Sequence, residues 1–324
     1  MPSVLVLAAL LAAGIRCEPR GGPDRPPPPM VFTVLGGQVL DAPPRCEPGS
    51  VPRAPPESEL SPLPARAGGA QAGDGCQAQG CWAWAGWNER RPLRGAGARL
   101  EIEVPAVESP DHSLAEVALR WGEDDREILE VGWEVAPRRY GDGQPHLFVG
   151  RWVNGSPCEQ ACPFVASSRR LVPGMSLGRW AGKSLAVGWL IWEGRAWAWV
   201  DGEWLGAFEL GERSPNVVRV AQWFGEVFFV RDPPTVAMGN GRAAEHSEAA
   251  RFSSVCDVPD GGEACVVRPI RLPSVTSPGR YDLRVDEPGG FRYGGPGVRP
   301  PPPPSSASEG RPAATGRSAP SLPR

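Results

Sequence analysis

Two strand-like segments each carry a pair of polar side chains set four residues apart. In Ile128-Leu129-Glu130-Val131-Gly132-Trp133-Glu134-Val135, the residues Leu129, Val131, Trp133 and Val135 form one apolar face by the two-residue period of a β-strand. Glu130 and Glu134 lie on the other face, with Gly132 leaving open space between them. In Gln222-Trp223-Phe224-Gly225-Glu226-Val227, Gln222 and Glu226 share a face opposite Trp223, Gly225 and Val227. A carboxylate on an aromatic-rich strand face is partly desolvated, which favours its protonated form. Two such carboxylates facing each other do not both ionise cheaply, so they share a proton and can divide acid and base roles. Strand parity alone does not choose Glu130 over Glu134. The same residues on a solvated outer face would do no chemistry.

Other chemistries are poorly served. Gly174-Met175-Ser176-Leu177-Gly178 has the spacing of a serine elbow, but Pro173 precedes it and strand-like sequence follows, where a helix is required. Gly182-Lys183-Ser184 ends like a phosphate loop, yet Leu177 stands where that loop needs glycine. His112, His146 and His246 are far apart, and Cys158-x3-Cys162 has no histidine nearby, so neither a metal site nor a cofactor is expected. Net charge is −3 with no basic stripe, which argues against a nucleic-acid partner. Lys183 is the only lysine. That bias reads as GC-rich coding and is given no functional weight.

The elements that must position these residues are short, apolar and bounded by turn residues. Leu100–Val104, Leu114–Trp121 and Ile128–Val135 alternate, and Leu185–Trp192 is a continuous apolar run. Ala196–Val200 and Trp204–Phe208 flank Asp201-Gly202, a strong hairpin signal. Val217–Trp223, Val227–Val230 and Ala264–Ile270 follow, and the one helix-like stretch is Ala243–Ala250. Many strands with regular turn signals predict an all-β, antiparallel sandwich or barrel. Trp197 and Trp199 share a strand face, either as core or as the aromatic lining of a substrate groove.

Gly 41 and Pro 40 together reach the level at which unperiodic Gly/Pro content signals disorder. The prolines concentrate in 17–66 and 296–324, so one folded body is expected between two Pro-rich flanks. The run Val4–Ala13 is too short to span a bilayer but suits a signal peptide ending at Gly14. Export agrees with the eight cysteines, which fall as near neighbours: Cys17/Cys46, Cys76/Cys81, Cys158/Cys162 and Cys256/Cys265. Asn154-Gly155-Ser156 is one glycosylation sequon, followed directly by Pro157.

An ordered series of short motifs resembles the neprosin domain. It runs from Val107–Leu114, through Leu129–Pro137 and Tyr140-Gly141-Asp142, to Cys158, Cys162 and Phe164. It continues with Leu190-Ile191-Trp192, the Trp197/Trp199 strand, Gln222–Val227, Met238–Arg242 and Tyr293–Gly297. Upstream, Cys46-Glu47-Pro48-Gly49-Ser50-Val51-Pro52 resembles the cysteine motif between that family's activation peptide and catalytic domain. The resemblance implies a secreted glutamic endopeptidase on a two-sheet, lectin- or jelly-roll-like β-sandwich, cleaving after proline in acid. By position, the family's two catalytic glutamates fall on Glu130 and Glu226, with Trp133, Gln222, Trp197 and Trp199 as candidate substrate contacts. Beyond the signal peptide over 1–14, it implies an activation-peptide-like region over 15–75 and a catalytic body over 76–297, and it leaves 298–324 as a disordered Pro/Ser-rich tail with no family counterpart. The expected partners are proline-containing peptides, met by a monomer with no membrane attachment once the signal is removed.

The chain departs from the family pattern in several places. Phe224 stands where the family usually has the first of two glycines. A cysteine near Arg280-Tyr281-Asp282 and another after Gly297 are both missing, and Cys256 and Cys265 are placed to staple a hairpin instead. The upstream region is also short and Pro-rich for an activation peptide. Two competing readings are a catalytically inactive glycan- or wall-binding sandwich and a two-carboxylate glycosidase.

Overall fold

A computed structural model describes residues 16–19, 26–36, 39–42, 46–48, 50–53, 75–77 and 80–295, apart from 159–161, 212–214 and 231–234. The strands are β1 (Arg16–Pro19), β2 (Ser50–Arg53), β3 (Gly75–Gln77), β4 (Gly80–Glu101), β5 (His112–Trp121) and β6 (Glu127–Val135). Then come β7 (His146–Val153), β8 (Ser156–Pro157), β9 (Phe164–Ala166), β10 (Ser184–Trp192), β11 (Arg195–Val200) and β12 (Glu203–Glu209). The last are β13 (Val218–Phe229), β14 (Arg251–Pro259), β15 (Val266–Val267), β16 (Ser274–Val275), β17 (Asp282–Glu287) and β18 (Gly290–Gly294). One four-residue helix, α1 (Pro137–Tyr140), follows β6. The all-β antiparallel expectation holds.

The 22-residue β4 organises both layers. Its first part pairs with β13, Cys81 through Leu93 opposite Phe229 through Val218, and its second part pairs with β10, Gly95 through Glu101 opposite Leu190 through Ser184. The first layer reads β8-β7-β6-β5-β13-β4 and the second β4-β10-β11-β12-β9, with β14 on the other edge of β4. Inward-facing residues change parity along the strand. Ala83, Ala85 and Trp87 enter the core from the first part, and Ala96, Ala98 and Leu100 from the second. The switch falls at Arg94-Gly95, where the strand passes from one layer to the other.

The central core joins Leu129, Val131, Trp133 and Val135 of β6 and Trp223 and Val227 of β13 to Leu185, Val187, Trp189 and Ile191 of β10. The outer face of the second layer is covered as well. There the 3-10 segment Pro29–Leu35 lays Phe32 against Trp199 and Trp204, at ring-centroid distances of 5.3 and 6.1 Å. Further along, the carboxylate of Asp201 accepts the backbone N–H groups of Val39 and Leu40, each at 2.7 Å.

Four expectations about single elements, three strands and one helix, are corrected. The first body strand begins at Gly80, well before Leu100, and ends at Glu101. Val217–Trp223 and Val227–Val230 are one strand, because Gly225 stays extended and its missing Cβ makes room for the Tyr293 ring. Only Val266–Val267 of Ala264–Ile270 is strand. Residues 243–250 form turns. Their backbone groups bond to side chains, with Ala244 N–H donating to Asp282 and Asn240 Nδ2 donating to Glu248 O, so no helical ladder forms.

Candidate active site

The side chains of β5, β6 and β13 that point away from the core make one outer face, and the ladder registers place each residue on it. Glu130 lies level with Ala118, which lies level with Gln222 and Asn88. Gly132, Glu116, Phe224 and Gly86 form the next rung, and Glu134, Leu114, Glu226 and Trp84 the one after. Glu130 and Glu226 therefore sit at opposite ends of a diagonal, two strands and four residues apart. Glu116 is at its midpoint.

All four glutamates are withdrawn from water: Glu116, Glu130 and Glu134 are 0% exposed and Glu226 is 5%. Each is held differently. Trp152 Nε1 on β7 donates to Glu130 Oε2 at 2.7 Å. Tyr140 of α1 donates its hydroxyl to Glu134 Oε2 at 3.1 Å. Burial pushes the Glu134 carboxyl above the usual carboxylate range, opposed by Arg139 and the Tyr140 bond. Tyr140 stacks on His146 with centroids 4.0 Å apart, and the two imidazole nitrogens of His146 bond Asp142 Oδ1 and Gly174 O. Gln222 is fixed from two sides: its Nε2 donates to Asn88 Oδ1 and its Oε1 accepts from Arg120 Nη1. An apolar stripe of Trp84, Phe224, Ala118, Ile128 and Trp152 crosses the same face.

The neprosin family profile matches residues 109–296, which is more than half of the chain and takes in every strand of this face except β4. The chain belongs to the neprosin family. The resemblance carried by its motifs is thus a membership, in a family of glutamic peptidases. Among solved structures, scytalidoglutamic peptidase with a peptide-based transition-state analogue is similar at 15% identity, covering 66% of this chain and 97% of its own, with a TM-score of 0.42. SCP-B, of the eqolisin family of peptidases, in complex with the tripeptide Ala-Ile-His, is similar at 13% identity over 66% and 97%, with a TM-score of 0.40. Sheep galectin-11 with glycerol is similar at 12% identity over 44% and 93%, with a TM-score of 0.26.

In this neprosin, Glu130, Gln222 and Glu226 come together on the face that parity assigned to them, and Phe224 joins them. A Cβ on Gly86 would collide with Phe224 Cβ, so the Phe224 side chain occupies space that the glycine leaves open. Trp133 is not on this face. It is fully buried in the sandwich core, where its Nε1 donates to Glu101 O at 2.8 Å. Trp197 and Trp199 are also elsewhere, on the outer face of the second layer, packed with Val31, Phe32, Leu35 and Trp204. Their alternation correctly marked one strand face, but the N-terminal segment fills it and leaves no groove. Disulfides join Cys158 to Cys162 and Cys256 to Cys265, the latter linking the ends of the β14–β15 hairpin. Cys17 is bonded to Cys46. Asn154 lies exposed in the turn between β7 and β8.

Four residues of the site were given no role by the sequence reading. Glu116 sits on a strand that was recognised as alternating, so the parity rule used for Glu130 could have found it. Trp152 could have been found the same way on β7. Tyr140 and Asp142 were noticed as part of a motif, but their contacts with His146 and Glu134 depend on how α1 folds back, which no spacing reveals.

Proposed function

We propose that this neprosin is a secreted endopeptidase that hydrolyses peptide bonds after proline at acidic pH, using Glu130 and Glu226. The supporting observation is that both glutamates of the family motifs lie buried on one sheet face, on one diagonal, beside an apolar stripe. One carboxylate takes a proton from a water whose oxygen bonds to the scissile carbonyl carbon. The other, protonated, donates a hydrogen bond to the carbonyl oxygen and stabilises the oxyanion. The C–N bond then breaks, the leaving nitrogen takes the proton that came from the water, and the pair returns to its starting state. One carboxyl works ionised and the other protonated, so activity belongs to acid and fades as the acid loses its proton. Trp84 and Phe224, packed edge to face with ring centroids 6.3 Å apart, set an apolar patch beside Glu226.

The test is digestion of proline-containing peptides across pH 3–7, with and without prior acid incubation of the full chain. Cleavage should fall by at least about 100-fold in Glu130→Gln and Glu226→Gln, the scale on which a general acid or base contributes. Full activity in either variant, or no cleavage by the wild type at any pH, would overturn the proposal. Mass spectrometry after acid incubation should also show new chain ends following prolines of the Pro-rich flanks. Intact flanks would count against post-proline specificity.

A further inference from the structure

Glu134 shares the outer face of β6 with Glu130, yet the proposed chemistry gives it no part. Its carboxyl is bonded on one side only. Oε2 accepts the Tyr140 hydroxyl at 3.1 Å, while Oε1 is closed to water and has no hydrogen-bond partner among the described residues. A buried polar atom without a partner is costly, so it calls for a partner from outside the fold. The group is also held in place before any ligand arrives. The Tyr140 ring lies parallel to His146 within 4°, and His146 is fixed between Asp142 Oδ1 and Gly174 O. That chain of contacts ties Glu134 to α1 and to the turn at Gly174, which lowers the ordering cost of a contact made there.

Its place suits a peptide. Glu134 shares a rung with Leu114, Glu226 and Trp84, and it lies on the diagonal of Glu116. Glu116 marks the midpoint between Glu130 and Glu226, so the Cα of Glu134 stands about 7–8 Å from that midpoint. An extended chain advances about 3.3 Å per residue. The separation therefore corresponds to two residues of a substrate whose scissile bond lies between the pair. Leu114, between Glu134 and Glu226 on the rung, is apolar and offers no competing side-chain group. Glu134 is no more withdrawn than Glu130, both being 0% exposed, so a peptide that reaches the pair also reaches Glu134.

We infer that Glu134 is a substrate-binding residue of the peptidase site, whose Oε1–H donates a hydrogen bond to a main-chain carbonyl two residues from the scissile bond. This rests on the reading of Glu130 and Glu226 as the catalytic pair. Burial favours the protonated carboxyl and Glu130 reinforces it, against Arg139, the Tyr140 bond and His146. In that form both oxygens are used: Oε2 accepts from Tyr140, and Oε1–H is left for the substrate. Every peptide offers a main-chain carbonyl whatever its side chains, so the contact adds affinity without adding side-chain preference.

The experiment compares wild type, Glu134→Gln and Glu134→Leu, with Glu134→Met as a second apolar variant whose flexible side chain fills the same space. Folding is checked by circular dichroism. The substrates are peptides with one central proline, shortened residue by residue from either end. Glu134→Gln keeps an N–H to donate and an oxygen for Tyr140, so its KM should stay within about twofold of wild type. The apolar variants should raise KM about 10-fold on long peptides with kcat little changed, as expected when a binding hydrogen bond is lost. Peptides too short to reach Glu134 have no contact to lose, and their KM should be the same in all four proteins. An unchanged KM on long peptides, or a penalty of equal size at every peptide length, would overturn the inference, the latter because it marks a purely structural role. So would loss of activity in Glu134→Gln. If the wild type cleaves nothing, the reading of the pair fails, and the same peptides are titrated by tryptophan fluorescence. A Kd raised about 10-fold by Glu134→Leu for long peptides alone would then support the contact. No difference, or no binding, would overturn it.

Discussion

Replacing Phe32 by alanine tests whether the N-terminal segment is an integral part of the fold. Phe32 is fully buried on the outer face of the second layer, where its ring meets Trp199 and Trp204. Its fit depends on two glycines beneath it: a Cβ on Gly188 would come within 2.8 Å of the Phe32 ring, and one on Gly97 within 3.0 Å. Burying a phenylalanine side chain stabilises by about 1.5–3 kcal/mol, and each aromatic pair adds about 0.5–1.5 kcal/mol. The truncation also leaves a cavity, since the layer below is a rigid sheet that cannot collapse into it. The total is about 3–5 kcal/mol. For a body of this size that lowers Tm by roughly 6–20 °C, at about 2–4 °C per kcal/mol. The assay is thermal unfolding followed by circular dichroism, with tryptophan fluorescence alongside, because Trp199 and Trp204 would gain access to water. A Tm loss below about 2 °C, with unchanged fluorescence, would refute the reasoning. It would mean that the segment does not rest on this face in solution and contributes nothing to the second layer.

Two further outcomes follow from single groups. Trp152→Phe keeps an aromatic ring beside Glu130 but removes the indole N–H that donates to Glu130 Oε2. A hydrogen bond to a charged group is worth about 1.5–3 kcal/mol, so kcat/KM should drop about 10–100-fold while the near-UV spectrum stays native, and unchanged kinetics would show that Glu130 needs no such anchor. Glu103 is pushed up to about 7, first by burial and then by neighbouring Glu101. Its raised value means that the folded state binds a proton more tightly than the unfolded one, so the stability it contributes is present below about pH 4.5 and is lost as pH rises toward 7. Because the group is partly exposed, solvent screening reduces the effect to about 1–2 kcal/mol. Glu103→Gln should therefore flatten the fall in stability between pH 4.5 and 7 in urea titrations, and an unchanged slope would exclude Glu103 as its source.

Local period fixed much of this protein without any tertiary information. The two-residue repeat separated Glu130 and Glu134 from Leu129, Val131, Trp133 and Val135, and it put Gln222, Phe224 and Glu226 on one face. Both assignments survive folding because a strand has only two faces, and the apolar one must be buried. The Asp201-Gly202 hairpin was legible for a similarly local reason: φ of +48° at Asp201 and +95° at Gly202 are what such a turn requires. What sequence could not give is which strands lie side by side. The longest strand, β4, is rich in Gly, Ala and Arg and has weak strand propensity, yet it holds the sandwich together because both its edges are paired. Only the order β6-β5-β13 puts Glu116 between Glu130 and Glu226. Only the packing of Pro29–Leu35 turns Trp197 and Trp199 from a possible groove into a buried floor. The sequence determined which way each side chain faces, since that follows from bonds to adjacent residues. The tertiary structure decided which carboxyls become neighbours, since that follows from pairings across a hundred residues of chain.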